Sequence, residues 1–529
     1  MPKSSLGDLL RSVPHKLSGN PGIEICDLSY DSRKIDGPGT LFAAFVGARA
    51  DGHCFIDEAV RRGAVAVLVS KPVEVPEGVS VVRVDDTRLA LAEIANAFYG
   101  DPSSRLMATG VTGTKGKTTT TFMLSHIMNA SGWPSGLIGT MGHVAGGDLE
   151  PGVNTTPEAA DLQGLFYEMA KAGRTHVAVE ASSHGIALGR VAQIDWDVGV
   201  FTNIGHDHLD FHGTVENYVE AKASFFRLLG RFGTRPGKLW PKVAVINLDD
   251  PHYRAMADAA QGAKADVITY SAEGNRGNPS CRHLGATDVV TSGKGISYVA
   301  HWLEDGAQSS RAGSVEVHSS LMGRFNVSNS LAAIGAALAL GVSLQDAARA
   351  VGAFPGVPGR FEAVDEGQDF AVIVDYAHTP DSLANVLETA RGIAEGRVIC
   401  IFGCGGDRDR SKRPLMGSIA QTMADYSIVT SDNPRSEDPD DIAREIAMGM
   451  SQSGAASTGI ADEGGRGMWK MILDRREAIY EGIRSARPGD VVLIAGKGHE
   501  TYQILHDRRV HFDDREEARA ALRELKTNA

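Results

Sequence analysis

The stretch Gly110-Val111-Thr112-Gly113-Thr114-Lys115-Gly116-Lys117-Thr118-Thr119 stands between a strand-like run and a helical one. Its glycines let backbone N–H groups turn inward around phosphate oxygens, and the helix that follows adds its positive end. In this reading Lys117 reaches the β- and γ-phosphates of a nucleotide and the Thr118 hydroxyl ligates Mg2+. The strict pattern GxxxxGK[ST] requires glycine at position 111, where this chain has valine, so the loop is a variant phosphate loop. The bland alternative is a Gly-rich turn with an exposed lysine. The strand–loop–helix context and the triplet Gly116-Lys117-Thr118 argue against it.

On both sides of this loop, strand-like runs alternate with helical stretches. They are Val65–Val69, His176–Glu180, Val198–Ile204, Val243–Leu248, Ala371–Asp375, Val398–Phe402, Ser427–Thr430 and Val491–Ala495. Such alternation predicts mainly parallel sheets covered by helices. The expected class is α/β in three domains: residues 1–105, a central P-loop ATPase-type parallel-sheet domain over 106–352, and a C-terminal Rossmann-like domain over 353–529. Asp101-Pro102-Ser103-Ser104 punctuates the first boundary. Phe354-Pro355-Gly356-Val357-Pro358-Gly359 forms a hinge at the second, because two prolines exclude helix there. An Ala-rich helix is expected over Asn326–Leu340. Residues 272–320, rich in Gly and Ser, predict antiparallel strands or excursions, and 451–467 predict an exposed loop. No internal repeat is present.

The 529 residues carry a net charge of −13, which argues against a basic nucleic-acid-binding surface but leaves room for local Arg and Lys clusters. Five cysteines, at 26, 54, 281, 400 and 404, form no disulfide framework and fit a reducing compartment. The N-terminus lacks an apolar h-region. The longest apolar stretch, Ser330–Gln345, is broken by Gly335 and Gly341 and is shorter than the roughly 20 residues of a membrane span. A soluble cytoplasmic monomer is expected, with no nucleic-acid partner and no membrane span.

Two polar loops follow strands. One is Glu180-Ala181-Ser182-Ser183-His184-Gly185; the other is Asn203-Ile204-Gly205-His206-Asp207-His208-Leu209-Asp210. Residues at strand C-termini of an α/β sheet point into its ligand crevice. Read alone, the His-rich loop fits zinc, or a structural polar loop. The neighbouring phosphate loop favours Mg2+ on ATP, with oxygen ligands in the majority.

Gly113–Thr119 resembles the phosphate loop of the Mur ligase family, to which the folylpolyglutamate synthetases also belong. The family usually has asparagine where this chain has Lys115, which adds a charge near the phosphates. The resemblance runs through an ordered series of motifs from about residue 25 to 515. It implies that ATP is bound by Gly113, Thr114, Lys115, Gly116, Lys117, Thr118 and Thr119. Asn326 lies near adenine, Arg360 at the γ-phosphate and Asp375 toward the ribose, which sandwiches ATP between the central and C-terminal domains. Within Tyr218-Val219-Glu220-Ala221-Lys222-Ala223-Ser224-Phe225-Phe226, it implies that Lys222 reacts with CO2 to form a carbamate. Lys117, Glu180, His208 and Lys222 are then the catalytic set, and Thr118, Glu180, His208 and carbamylated Lys222 the metal ligands. From the residues alone, Lys222 fits a solvated surface lysine, and Asn326 and Asn329 fit helix caps.

Tyr30-Asp31-Ser32-Arg33 and Val46-Gly47-Ala48-Arg49-Ala50-Asp51-Gly52 are similar to the family's uridine-binding segment. The implied contacts to UDP-N-acetylmuramoyl-L-alanyl-D-glutamate are Tyr30, Ser32, Asn154, Thr155, Thr156, Ser182, Leu188 and Arg190; at Leu188 a relative can carry a polar residue. In the C-terminal third, an arginine pairs bidentately with a carboxylate, and Asp or Glu pairs with an ammonium. Meso-diaminopimelate needs both, because its distal centre is zwitterionic. The sequence Asp432-Asn433-Pro434-Arg435 marks the diaminopimelate-adding branch of the family, and lysine-adding relatives lack the arginine. Arg408, Asp432, Asn433, Pro434, Arg435, Gly496 and Glu500 are the implied acceptor site. The implied reaction is ATP-dependent ligation of meso-2,6-diaminopimelate to the muramoyl dipeptide through an acyl phosphate, in peptidoglycan precursor synthesis. The alternatives are a lysine-adding ligase, a folylpolyglutamate synthetase, and a P-loop protein that uses ATP as a switch.

Overall fold

The phosphate-loop strand, Met107–Thr112, is fully buried and lies in the middle of a parallel sheet. His176–Glu180 pairs with it on one side and Val198–Phe201 on the other, with Glu180 opposite Val111 and Phe201 opposite Thr112. Ser135–Gly139 continues the sheet beyond the first neighbour, and Val243–Asn247 and Asp266–Ser271 beyond the second. The register therefore brings the ends of three strands level, and the loops that leave them share one crevice. The structure is a computed structural model that describes residues 2–47, 50–205, 207–232, 238, 242–275, 282–293, 295–304, 312–450 and 467–528. Ala48, Arg49, His206 and Cys281 lie outside the described residues, as does nearly all of the loop expected over 451–467.

Contacts divide the chain into two units. The first comprises Met1–Thr287, Val299–Glu316 and Ser328–Val351; the second comprises Asp288–Tyr298, Val317–Val327 and Gly352–Ala529. The first unit also holds a five-stranded sheet in the order Lys16–Ser18, Ser80–Arg83, Ala64–Val69, Thr40–Ala43 and Asp27–Ser29. Helix Thr87–Phe98 covers it with Leu91, Ile94, Ala95 and Phe98. In the phosphate-loop sheet, helix Val215–Arg227 presses Phe225 and Phe226 onto the strands. A Cβ at Gly110 would lie 2.3 Å from the Phe225 ring and one at Gly199 3.1 Å from the Phe226 ring, so the two glycines set how closely that helix approaches. Segment 272–320, among its described residues, is stranded: Arg282–Ser292, Gly295–Leu303 and Ala312–Ser319. The first of these pairs in parallel with Asp266–Ser271.

In the second unit the strand order is Glu362–Ala363, Ala371–Asp375, Val491–Ala495, Val398–Phe402, Tyr426–Val429 and Met468–Met471. All pairs are parallel except the first. The order is non-sequential, as expected of a doubly wound sheet. Observed strands match the expected ones to within a few residues. The run expected over Val198–Ile204 stops at Phe201 because Thr202 and Asn203 turn onto the phosphate loop. Asn326 and Asn329 lie inside helix Phe325–Ala339 rather than capping it, and the Asn326 amide donates back to the Met322 carbonyl at 2.8 Å. No helix among the described residues is long and apolar enough to cross a membrane.

One buried ion pair ties this second sheet together. Arg475 and Asp514 are both fully buried, and the guanidinium donates Nε to Oδ1 and Nη2 to Oδ2, each at 2.7 Å. It also donates to the carbonyls of Ala495, at 3.0 Å, and Ser431, at 3.4 Å. Removing one partner of such a pair leaves an uncompensated charge, at about 3–5 kcal/mol. Arg475→Met is therefore expected to lose roughly that much stability in urea denaturation. Arg475→Met combined with Asp514→Leu should recover most of it, and a double variant no more stable than the single one would refute this account.

Candidate active site

The phosphate loop is held from outside by the strand end beside it. Thr114 N–H donates to Asn203 O at 2.8 Å and Lys115 N–H to Asn203 Oδ1 at 2.9 Å. Lys115 O accepts from Thr202 Oγ1 at 2.6 Å and from Asn203 Nδ2 at 3.1 Å. These bonds use the Lys115 backbone, so they do not depend on whether lysine or asparagine stands there. Gly113 and Gly116 have φ of +153° and +82°. A Cβ on them would meet Thr202 Oγ1 at 1.9 Å and Asn329 Oδ1 at 2.3 Å. Helix Lys117–Ala130 follows, and the Lys117 amine lies over the Gly113 and Thr114 carbonyls at 2.8 and 2.9 Å. Thr119 is half-buried in its first turn.

Glu180 is 1% exposed and its carboxylate accepts three hydrogen bonds. Thr118 Oγ1 donates at 3.0 Å, Thr140 N–H at 2.9 Å and Thr140 Oγ1 at 3.1 Å. Since the one Thr140 hydroxyl proton is used there, the Thr155 hydroxyl donates to Thr140 Oγ1 at 3.1 Å. Thr156 Oγ1 donates to Glu180 O at 2.7 Å and accepts from the Ser182 backbone N–H at 3.0 Å. The implied dipeptide residues Thr155, Thr156 and Ser182 thus meet the implied metal residues Thr118 and Glu180. Asn154 is exposed and Leu188 half-buried, at the end of helix Ser183–Ala187.

Lys222 is not a surface lysine. It is 1% exposed, its amine donates to Gly113 O at 2.9 Å, and it stands 4.6 Å from the Tyr218 ring centre. Burial, with Lys117 nearby, pushes its pKa well below the ordinary lysine range. Tyr218 OH is 3.0 Å from Thr114 Oγ1, which in turn accepts from Gly205 N–H at 2.8 Å. His208 is the outlying member of the implied set. Its side chain is 44% exposed, its backbone has φ of +54°, and its ring packs edge-on to His184 at 4.8 Å. Tyr218, 6.4 Å from His208 by ring centres, is a neighbour that His208 and Lys222 share. Among the described residues no three His, Cys, Asp or Glu side chains converge as a preformed metal cage. Thr118 with one buried carboxylate instead suits Mg2+, which takes one or two carboxylates and completes its shell with water and phosphate oxygens.

Around the implied uridine segment, Ser32 is buried and donates to Glu58 at 2.8 Å. The Tyr30 hydroxyl donates to Asp161, and its ring stacks on Phe45 at 5.5 Å. Arg88 lies over the other aromatic, 4.3 Å from the Phe45 centre, and pairs with Glu158 at 3.0 Å. Glu158 also pairs with Arg190 at 2.6 Å, and Arg190 donates to Thr156 O at 2.9 Å.

In the second unit, Asp375 is buried at a strand end and accepts from Phe361 N–H at 2.7 Å; burial raises its pKa. The Arg360 guanidinium lies 5.2 Å from the Tyr376 ring centre, and its Nε is buried without a hydrogen-bond partner among the described residues. Four loops at strand C-termini carry the implied acceptor residues or border them. Gly496, at φ +120°, passes Asp432 so closely that a Cβ would lie 2.6 Å from its carboxylate. Asn433 Nδ2 donates to Glu500 Oε2 at 2.8 Å. Pro434 is buried. Arg435 has φ of +52° and is clamped by its own backbone: its N–H donates to Ile504 O at 3.1 Å, and His506 N–H donates to Arg435 O at 2.9 Å. Its guanidinium donates to Gly406 O at 2.7 Å. Glu437 is engaged instead by fully buried Arg413, bidentately at 2.9 Å. Arg408 is exposed.

Three family descriptions match in order: "Mur ligase family, catalytic domain" over residues 24–99, "Mur ligase middle domain" over 111–337, and "Mur ligase, glutamate ligase domain" over 359–498. The chain belongs to the Mur ligase family. A relative from Geobacillus thermodenitrificans is 46% identical over 509 residues, 96% of each chain, and one from Geobacter metallireducens is 45% identical over 532 residues, 98% of each. Both bear the name UDP-N-acetylmuramoyl-L-alanyl-D-glutamate–2,6-diaminopimelate ligase. A solved structure under that name is 33% identical, covers 99% of this chain and 100% of its own, and superposes with a TM-score of 0.67. Reading the sequence did not find Thr140, Glu158, Arg88 or Arg475, although Glu158 directly follows the segment Asn154–Pro157. Thr202 escaped notice too, although it directly precedes the loop Asn203–Asp210.

The Gly116 position gives a direct test of the phosphate loop. A left-handed backbone costs an L-residue about 1–2 kcal/mol, and here the Asn329 amide also blocks the Cβ. Gly116→Ala is expected to weaken ADP binding by about tenfold or more in isothermal titration calorimetry. Affinity equal to wild type would remove the loop from the nucleotide site.

Proposed function

We propose that this Mur ligase joins meso-2,6-diaminopimelate to the D-glutamate of UDP-N-acetylmuramoyl-L-alanyl-D-glutamate at the expense of ATP, in the cytoplasm and as a monomer. The observation that carries the acceptor assignment is Arg435: its guanidinium pairs with no described carboxylate and stands in a loop shared with Asp432 and facing Glu500. The full-length relatives named for this reaction support the same reading. The three family matches support domains over residues 1–105, 106–352 and 353–529.

In this mechanism the phosphate loop and Asn326 bind ATP, with Asp375 toward the ribose. Lys117 exchanges the Gly113 and Thr114 carbonyls for phosphate oxygens. Thr118, Glu180, His208 and Lys222 as its carbamate would hold Mg2+, which when bound would supply neutralising charge to the phosphates. The muramoyl dipeptide contacts Tyr30, Ser32, Asn154, Thr155, Thr156, Ser182, Leu188 and Arg190. Its γ-carboxylate oxygen attacks the γ-phosphorus, the bond to the bridging oxygen breaks, and ADP leaves an acyl phosphate. Arg360, with a free Nε, and Lys117 stabilise charge on the transferring group. The acceptor amine then attacks the acyl carbon, phosphate leaves, and the amine proton passes to solvent. Arg408 and Arg435 face the distal carboxylate, and Asp432 and Glu500 the ammonium group.

A neutral buried amine is what reacts with CO2. 13C-labelled bicarbonate is expected to give a carbamate resonance in the wild type that Lys222→Ala lacks, with kcat lower by about 100-fold or more in that variant. A variant with wild-type kcat would overturn the role of Lys222.

Phosphate release should require both the muramoyl dipeptide and the amino acid, which separates a ligase from an ATP switch. Lysine in place of diaminopimelate would leave half-buried Arg435 without its carboxylate, at about 1.5–3 kcal/mol, or about one to two orders of magnitude in use. Arg435→Ala should erase most of that preference while leaving the KM for ATP unchanged. Equal use of both amino acids by the wild type would exclude the diaminopimelate assignment.

A further inference from the structure

Beyond these assignments lies a buried cation. Lys497 sits between Gly496 and Gly498, whose φ values of +120° and +53° fold the loop tightly; a Cβ on Gly498 would lie 2.7 Å from Gly359 O. Its side chain is fully buried. The amine donates to Glu500 Oε2 at 3.2 Å and to Asn433 Oδ1 at 3.3 Å, and lies 5.6 Å from the Tyr502 ring centre. Asn433 closes the triangle. Its Nδ2 donates to the same Glu500 oxygen at 2.8 Å, and its Oδ1 also accepts from Ile504 N–H at 2.9 Å.

The donors and acceptors fix what each group has left to offer. Glu500 Oε2 is taken twice, whereas Oε1 receives no hydrogen bond from a described residue. Asn433 Oδ1 is taken twice, so its amide is spent on support, with one N–H remaining. Glu500 is partly exposed, and Lys497 is not. A buried cation that bonds one oxygen of a carboxylate orients the other oxygen and offsets its charge.

Resting on the proposed acceptor site, we infer that Lys497 is its positioning residue: it saturates Glu500 Oε2 so that Oε1 is presented to the ammonium group of the incoming amino acid. Asn433 then serves as a strut between Glu500 and the strand Tyr502–Leu505, with one amide N–H left to offer the substrate. A merely structural lysine would stabilise the loop without acting through Glu500.

A double-mutant cycle read by steady-state kinetics separates the two. Hydrogen bonds to charged groups contribute about 1.5–3 kcal/mol, so Lys497→Met should raise the KM for diaminopimelate about 10- to 100-fold. The KM values for ATP and the muramoyl dipeptide should stay within about twofold. In a Glu500→Gln background, adding Lys497→Met should change the acceptor KM by less than about threefold, because the group it acts through is already gone. That comparison also holds if Lys497→Met alone fails to fold, since the double variant buries no unpaired carboxylate. A full-sized effect of Lys497→Met in the Glu500→Gln background, or an unchanged acceptor KM in the single variant, would overturn the positioning role. A wild type that does not use diaminopimelate would overturn the function itself and this role with it; use by the wild type with an additive cycle overturns this role alone.

Discussion

The Glu180 carboxylate ends a strand at the floor of the crevice, with almost no solvent to hydrate it. A buried carboxylate is tolerated only when protein donors replace that water. Three donors do so here, from Thr118 on the phosphate-loop helix and from the backbone and hydroxyl of Thr140. Each comes from a different stretch of chain than Glu180 itself, and Thr140 passes the constraint on to Thr155. The Glu180 carbonyl does the same through Thr156. Satisfying one residue therefore fixes the relative positions of the phosphate loop, the turn after Gly139 and the Asn154–Pro157 segment. Glycine at 139 is part of the fit, since a Cβ there would fall 2.2 Å from the carboxylate.

From Thr156 the same logic continues outward by charge pairing. Arg190 bonds the Thr156 carbonyl and Glu158; Glu158 bonds Arg88; Arg88 lies on Phe45; and Phe45 stacks on Tyr30. Tyr30 and the implied dipeptide residues Thr156 and Arg190 are thus joined by direct contacts to the backbone of Glu180. Arg88 and Arg190 are mostly sheltered from solvent, and Glu158 more so, at 7% exposure. That lifts these pairs out of the class of surface ion pairs that contribute little.

Strand identity was legible because buried parallel strands read as apolar runs, and His176–Glu180, Ala371–Asp375, Val398–Phe402 and Val491–Ala495 fall where the sequence places them. Candidate residues were legible wherever a motif fixes chemistry to spacing, as at Gly113–Thr118. Side-chain direction was not. Asn433 is named by its motif, yet nothing in the motif says that its amide faces Glu500 and Ile504. Lys222 reads as a surface lysine until Phe225 and Phe226, three and four positions on, are seen to seat its helix face against the sheet. The contacts of Thr140, Glu158 and Arg88 were not legible, because their partners lie 15 to 70 positions away and exist only once the strands are in register.

Gly113 shows how the two lysines of the crevice share one acceptor. Its carbonyl receives Lys117 at 2.8 Å and Lys222 at 2.9 Å. Two ammonium groups on one carbonyl, with one of them fully buried, would repel strongly in a medium of low dielectric. The arrangement is relieved if one of the two amines is neutral. Lys117 is the more solvated, and it also has the Thr114 carbonyl to hold its charge. Lys222 has the Gly113 carbonyl and the face of Tyr218, and burial disfavours its charged form most. Of the two, fully buried Lys222 is the one whose charged form burial disfavours. The proposed reaction with CO2 would require the lone pair of such a neutral amine. The packing of Phe225 and Phe226 against Gly110 and Gly199, which buries that helix face, is in this sense part of the site's chemistry.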